Sequence, residues 1–186
     1  MTAASHPRKV VVLDRDGTIV VDRDYLDDPA GLSFLPGAAE GLQRLYANGL
    51  RLVVITNQSG VARGRFDLNR LAQIHSRFNE MVSLAGAHLE GIYFCPHGPD
   101  EGCACRKPAT GLLEQAASQL GFELSSVIVI GDKESDIELG RRVGAPTILI
   151  RADTATGPGA TAADFVVSDL RQAARVIAAY NSARGA

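Results

Sequence analysis

Asp14 and Asp16 stand at the end of an apolar run, in the stretch VVVLDRDGTIV from Val10 to Val20, with Gly17 and Thr18 directly after them. The β-branched run reads as a buried parallel strand. Open α/β sheets place their ligands at the carboxyl ends of such strands. Two carboxylates this close repel unless a positive group lies between them. Mg²⁺ supplies that charge and keeps coordination sites for phosphate oxygens. An ionised aspartate is also a nucleophile able to form an aspartyl-phosphate. The pair therefore points to phosphoryl transfer through a covalent carboxyl intermediate. The plain alternative is a polar turn after a strand, with Asp and Gly serving turn chemistry.

Two further strand ends carry polar groups suited to a phosphate. ITNQSG offers Thr56, Asn57, Gln58 and Ser59, and VIVIGDKESD offers Asp132, Lys133 and Asp136. Parallel strands bring their carboxyl ends to one side of a sheet, so these groups can converge on the first pair. Arg106-Lys107-Pro108 precedes a helical stretch and can add positive charge. Taken singly, Thr56 reads as a strand-end cap and Lys107 as a solvated lysine.

A separate constellation, CPHGPDEGCAC, gathers all three cysteines of the chain, Cys95, Cys103 and Cys105, with His97. An odd number of cysteines in one short segment argues against a disulfide framework. Cys₃His suits four-coordinate structural Zn²⁺, a closed site with no position left for substrate. Such a metal would staple a loop with little core of its own and hold Arg106-Lys107-Pro108 in place. Free thiols in a flexible loop are the alternative.

The elements that must position these groups alternate along the chain. Strands are predicted at Lys9–Leu13, Leu52–Thr56, Gly91–Cys95, Val127–Ile130, Thr147–Ile150 and Phe165–Val167. Helices are predicted from Pro36-Gly37 to Asn48, over Leu68–Ala85, Thr110–Leu120 and Ser135–Val143, and over Leu170–Tyr180. In the second of these, Leu71, Ile74, Phe78 and Met81 form the apolar stripe. Asp153–Thr161 reads as a loop. The stretch from Val21 to Leu35 is polar and borders the Asp14 turn; it is too short for a separate cap domain. Strand–helix alternation implies a three-layer α/β/α sandwich with a mainly parallel, Rossmann-like sheet.

The chain has 186 residues, 46% of them hydrophobic, and a net charge of −2. That suits one α/β domain over residues 1–186, with the zinc loop at 95–105. The charge gives no basic field for nucleic acid or an anionic membrane. No apolar stretch is long enough to span a bilayer, and the first residues, MTAASHPRKV, lack the apolar core of a signal peptide. A cytoplasmic monomer acting on a small molecule is the expectation. His75 and His88 belong to no constellation and read as ordinary surface or packed residues; His6 reads as part of a mobile terminus.

The ordered set DxDGT, a strand ending in Thr, a Lys before a helix, and GDxxxD resembles the haloacid dehalogenase (HAD) superfamily of phosphatases. The resemblance implies a HAD-like fold with no large cap and roles by position. Asp14 would be the nucleophile and an Mg²⁺ ligand. Asp16 would protonate the leaving alkoxide and then activate water, with its backbone carbonyl on Mg²⁺. Thr56 would bind phosphoryl oxygens, Lys107 would balance charge, and Asp132 would hold Mg²⁺. Asp136 would hold a metal-bound water or orient Lys107. Within the superfamily, C-x-H…C-x-C-R-K-P is similar to two groups, the D-glycero-D-manno-heptose 1,7-bisphosphate phosphatases and the histidinol-phosphate phosphatases. TNQSGVARGRF, VDRDYLDDP and GDKESD resemble the first. That group implies a sugar bisphosphate substrate, losing its C7 phosphate on a route to nucleotide-activated heptose. Contacts would come from Asp14, Arg15, Asp16, Asp22, Arg23, Asp24, Tyr25, Thr56, Asn57, Gln58, Ser59, Arg106, Lys107 and Lys133. Arg106 and Lys133 are candidates for the second phosphate, with Arg63 and Arg65 behind them. The rival readings are a histidinol-phosphate phosphatase and a non-catalytic, zinc-stabilised binding protein.

Overall fold

The structure is a computed structural model that describes residues 9–151 and 161–184. His6 and all but the last residue of the loop expected at 153–161 lie outside them.

Among the described residues, six strands form one parallel sheet in the order β3-β2-β1-β4-β5-β6. They are β1 (Val10–Leu13), β2 (Arg51–Asn57), β3 (Leu89–Cys95), β4 (Val127–Gly131), β5 (Thr147–Ile150) and β6 (Phe165–Val167). Their apolar runs are nearly continuous because both faces are covered. Alternate residues point to opposite sides. Val11, Leu13, Leu52, Val54, Ile128 and Ile130 join one core, and Val10, Val12, Val53, Ile55, Val127 and Val129 join the other.

The first core is closed by α1 (Ala38–Ala47), α2 (Leu68–Leu84) and α5 (Leu170–Arg184) through Leu42, Phe78 and Ile177. The second is closed by α3 (Gly111–Leu120) and α4 (Glu134–Arg142) through Leu113, Ala116 and Leu139. The result is the three-layer α/β/α sandwich. No helix among the described residues is long and apolar enough to cross a membrane.

The predicted elements are all present; Thr147–Ile150 and Phe165–Val167 keep their bounds, and no other boundary moves by more than four residues. β3 begins at Leu89, two residues before Gly91, because a register shift at Leu52/Val53 lets Leu89 pair as well. On α2 the buried stripe is Leu71, Ile74, Phe78 and Val82. Val82 replaces the expected Met81, which is only partly buried, because steps of three, four and four residues stay closer to the helical period on the sheet side. The polar stretch after Val20 is a tethered flap. Val20 bridges Phe34, Val21 N donates to Ser33 O at 3.0 Å, and a short 3₁₀ turn runs over Pro29–Gly31.

β1 lies beside both β2 and β4, so the direction of strand succession reverses there and a crevice opens between β1 and β4. Asp14 leaves β1 and Asp132 leaves β4 at that crevice.

Phe78 is fully buried between α2 and the sheet. Phe78→Ala should lower unfolding free energy by about 3–5 kcal/mol, whereas Tyr46→Ala on the exposed side of α1 should stay within about 0.5 kcal/mol. Urea unfolding of the two variants checks this contrast.

Candidate active site

β1 ends in a buried carboxylate. Asp14 N still donates to Ile130 O at 3.0 Å, which fixes the backbone, and Asp14 Oδ1 accepts from Arg15 N at 2.7 Å. The chain then turns through Gly17 at φ +81°, a left-handed position. A Cβ there would fall 2.2 Å from Asp132 Oδ2, so only glycine lets the two loops meet. Thr18 Oγ1 donates to Asp132 Oδ1 at 3.0 Å and orients that carboxylate.

Lys107 sits behind Asp14. Its ammonium lies 2.9 Å from Asp14 Oδ1 and 2.6 Å from Asp136 Oδ1, and donates to Ile55 O at 2.7 Å. All three of its protons are thereby used. Burial works against the charge, but Asp14 and Asp136 outweigh it and hold the Lys107 pKa above the usual lysine value. Burial, then the Asp14 charge, pushes Asp136 up to about 6 despite Lys107. Asn57 clamps the lysine backbone: its amide donates to Lys107 O at 3.2 Å and its oxygen accepts from Lys107 N at 3.0 Å. Asn57 borders the cavity, yet its amide is committed to Lys107.

Asp14, Asp132 and Asp136 form a carboxylate group, and one oxygen from each lies within 4.8 Å of the others. Asp136 has both oxygens engaged, one by Lys107 and one by Lys133 N at 3.1 Å. Asp14 and Asp132 each keep a second oxygen for an ion. Burial, then the Asp14 charge, raises the Asp132 pKa above the usual carboxylate range. A divalent cation would relieve that conflict, and Mg²⁺ takes one or two carboxylates with the rest of its shell left to water and phosphate oxygens. The Asp16 carboxylate points elsewhere. It accepts from Arg15 Nε at 3.1 Å, Arg15 Nη2 at 2.8 Å and Gln58 Nε2 at 2.7 Å. Only its backbone carbonyl is left for an ion. Arg15 is buried and holds Asp16. Thr56 Oγ1 accepts from Gln58 Nε2 at 2.9 Å, so Asp16, Gln58 and Thr56 are one chain of hydrogen bonds.

Asp14, Arg15, Asp16, Thr56, Gln58 and Lys107 line a cavity of about 290 Å³. Asp22, Arg23, Asp24 and Tyr25 from the flap form one wall, and Ser59, Arg106 and Lys133 form others. Lys133 Nζ spans the mouth to Asp22 Oδ2 at 3.1 Å. Arg106 Nη1 donates to His97 O at 3.1 Å, which ties it to the cysteine loop. Arg63 and Arg65 lie off the main cavity, with their guanidinium carbons 5.7 and 5.6 Å from the Tyr25 ring centroid. Leu26, Gly60, Phe66 and Ser135 also line the cavity and were missed. Phe66 and Leu26 read as core residues by type, and only proximity reveals them. Thr18 was missed as the partner of Asp132, although its place beside the two aspartates was the available signal.

The cysteine loop closes on itself. Cys95, His97, Cys103 and Cys105 place their donor atoms within 4.8 Å of one another. The sulfur–sulfur separations are 3.1, 3.4 and 3.5 Å, and His97 Nδ1 lies 3.1 Å from Cys105 Sγ. Those lengths exceed a disulfide bond, and all three cysteines are free. Burial pushes the Cys95 thiol up to about 12. A coordinated cation would instead take the thiolate. The donor set fits a tetrahedral soft-metal site. Gln58 N donates to Cys95 O at 2.7 Å and Ala62 N to Pro96 O at 3.1 Å, so the loop and the Thr56–Phe66 segment are sewn together.

A parallel sheet with a Lys-linked aspartate cluster at its switch point defines a HAD-like hydrolase, and a HAD-hydrolase-like family model matches residues 104–173. The chain is 40% identical over 153 residues to the D-glycero-beta-D-manno-heptose-1,7-bisphosphate 7-phosphatase of Pseudomonas aeruginosa, covering 82% of this chain and 84% of that one. It is 34% identical over 178 residues to the enzyme of the same name from Yersinia pestis, covering 91% and 95%. The D,D-heptose 1,7-bisphosphate phosphatase of B. bronchiseptica, solved with magnesium and phosphate, superposes with a TM-score of 0.82 at 34% identity, over 92% of this chain and 99% of that one. The chain belongs to the heptose-1,7-bisphosphate 7-phosphatase family of phosphoric monoester hydrolases.

Removing Lys107 leaves two carboxylates buried with no counter-charge. Lys107→Met should lower stability by about 3–5 kcal/mol at neutral pH in metal-free protein. Adding Asp136→Asn should recover part of that loss, because one of the stranded charges is gone. Urea unfolding of the single and double variants measures both.

Proposed function

We propose that this chain is a Mg²⁺-dependent phosphatase that removes the C7 phosphate of D-glycero-D-manno-heptose 1,7-bisphosphate, in the cytoplasm and on the way to nucleotide-activated heptose. Residues 1–186 act in this reading as one monomeric HAD-like domain with no cap. The carrying observation is the cavity itself. It has Asp14 at its base, carboxylates and Tyr25 along one wall for a polyhydroxylated chain, and Lys133 and Arg106 at the rim for a second anion. The names of the relatives and the magnesium and phosphate bound in the B. bronchiseptica enzyme support it. They also favour this substrate over histidinol phosphate, and the intact aspartate set speaks against a non-catalytic scaffold.

Asp14 is the nucleophile. Its free oxygen attacks the phosphorus, the bond from phosphorus to the C7 oxygen breaks, and an aspartyl-phosphate forms. Asp16 gives its proton to the departing alkoxide. It then takes a proton from water as that water attacks phosphorus and the Asp14–phosphorus bond breaks. Thr56 has its hydroxyl proton available for a phosphoryl oxygen. Lys107 acts by charge at a distance, since its protons are already committed; it keeps Asp14 ionised and in place. Asp14, Asp132 and the Asp16 backbone carbonyl would hold Mg²⁺, which when bound neutralises phosphate charge. Asp136 orients Lys107. Lys133 exchanges Asp22 for the second phosphate, and Arg106 offers a fork suited to an anion that is held and not cleaved. Cys95, His97, Cys103 and Cys105 would hold structural Zn²⁺, which would fix the loop that carries Arg106 and Lys107.

Phosphate release with Mg²⁺ from both anomers of the heptose bisphosphate, beside histidinol phosphate, tests the substrate. The beta anomer is the expected preferred substrate, as in the names of the P. aeruginosa and Y. pestis enzymes. Asp14→Asn should lower turnover by roughly a thousandfold or more with the fold intact. Preference for histidinol phosphate overturns the substrate reading, and normal turnover in Asp14→Asn overturns the covalent mechanism.

Cys103→Ala should lose zinc and lower Tm by roughly 5 °C or more. Metal analysis and thermal unfolding read the two together, and zinc-free wild-type protein of full stability would end the stapled-loop reading.

A further inference from the structure

Two buried side-chain nitrogens among the described residues have no hydrogen-bond partner within the protein, Arg15 Nη1 and His75 Nε2. Folded interiors leave few such groups, and each calls for a reason. Arg15 is 2% exposed, and its other two nitrogens hold Asp16 at 3.1 and 2.8 Å. His75 comes from α2 and packs edge-on against Phe94, with 5.4 Å between ring centroids. Phe94 is the register partner of Thr56, so the imidazole lies near the carboxyl ends of β2 and β3, where Gln58 links Thr56 to Asp16.

Burial, and next the Arg15 charge, pushes the His75 pKa down to about 3, so the ring is neutral at working pH. Arg15 Nη1 has only protons to give, and a neutral imidazole has one nitrogen with a lone pair to offer. The two orphans are therefore complementary in kind. They make no direct hydrogen bond to each other, the Arg15 charge is felt at the His75 ring, and one water can join such a donor to such an acceptor.

We propose that His75 is a positioning residue for Arg15: its Nε2 lone pair, joined to Arg15 Nη1 through one buried water, fixes the third nitrogen of the guanidinium that holds Asp16. This rests on the reading of Asp16 as the acid and base of the phosphatase reaction. A guanidinium held only along its Nε–Nη2 edge can still pivot toward the phosphoryl oxygens that enter beside Asp14. Fixing Nη1 keeps it on Asp16. His75 touches neither the substrate nor the reacting atoms.

The first test needs no substrate. In protein labelled with ¹⁵N-histidine, long-range proton–nitrogen correlation shows which ring nitrogen carries the proton. A neutral ring with the proton on Nδ1 and Nε2 bare, from about pH 5 to 8, is expected. A proton on Nε2, or titration near the ordinary histidine value, overturns the proposal. The second test compares His75→Gln, whose amide oxygen reaches the Nε2 position, with His75→Met, which fills space without an acceptor. His75→Met should lower kcat about tenfold with KM within about twofold, and His75→Gln should restore most of it. Equal rates in the two variants overturn the proposal. Rates are read on the heptose bisphosphate and on an aryl phosphate. Wild-type hydrolysis of the aryl ester alone would retire the heptose reading and leave the His75 comparison standing.

Discussion

The Lys107 ammonium, buried against Asp14, Asp136 and the Ile55 carbonyl, is the interaction on which the site depends. Bringing the ends of β1 and β4 together forces aspartates into a common, largely buried space. Such charges are tolerated in an interior only when paired and hydrogen-bonded. One lysine supplies the charge and three bonds at once. It orients the Asp14 nucleophile and fixes Asp136, whose second oxygen in turn accepts from Lys133 N at the start of α4. The Asp14 charge also bears on Asp132, which keeps an oxygen free for a cation.

Holding Lys107 in place is itself a tertiary task. The lysine comes from an irregular segment after β3, without the support of a strand or helix. Asn57 clamps its backbone from the end of β2, and the cysteine loop anchors the residues just before it. A metal in that loop would be remote from the reaction in chemistry and close to it in mechanics. It would make rigid a segment that carries a buried charge.

A second network serves Asp16. Arg15 and Gln58 grip its carboxylate, and Gln58 joins it to Thr56. The two aspartates of the DRD turn are thus held by different partners, Asp14 by Lys107 and Asp16 by Arg15. One can serve as nucleophile and the other as proton carrier without sharing a counter-ion.

Much of this was legible in the residues alone. Both faces of the sheet are covered, so its strands carry nearly continuous apolar runs and stand out in the chain. The polar groups at their carboxyl ends mark one edge, and Cys95, His97, Cys103 and Cys105 stand so close in sequence that little folding is needed to gather them. What the sequence could not determine is which groups pair. Asn57 and Arg15 read as substrate contacts, yet hold Lys107 and Asp16. Lys107 reads as a phosphate ligand, yet all its protons are taken. Met81 reads as core and Val82 holds that place. His75 reads as unremarkable, and its half-buried packing against Phe94 is visible only once α2 is laid on the sheet. Periodicity and residue type report which face a side chain takes. The partner of a buried donor is set by the packing of distant segments at a separation of a few ångströms, which only the tertiary structure decides.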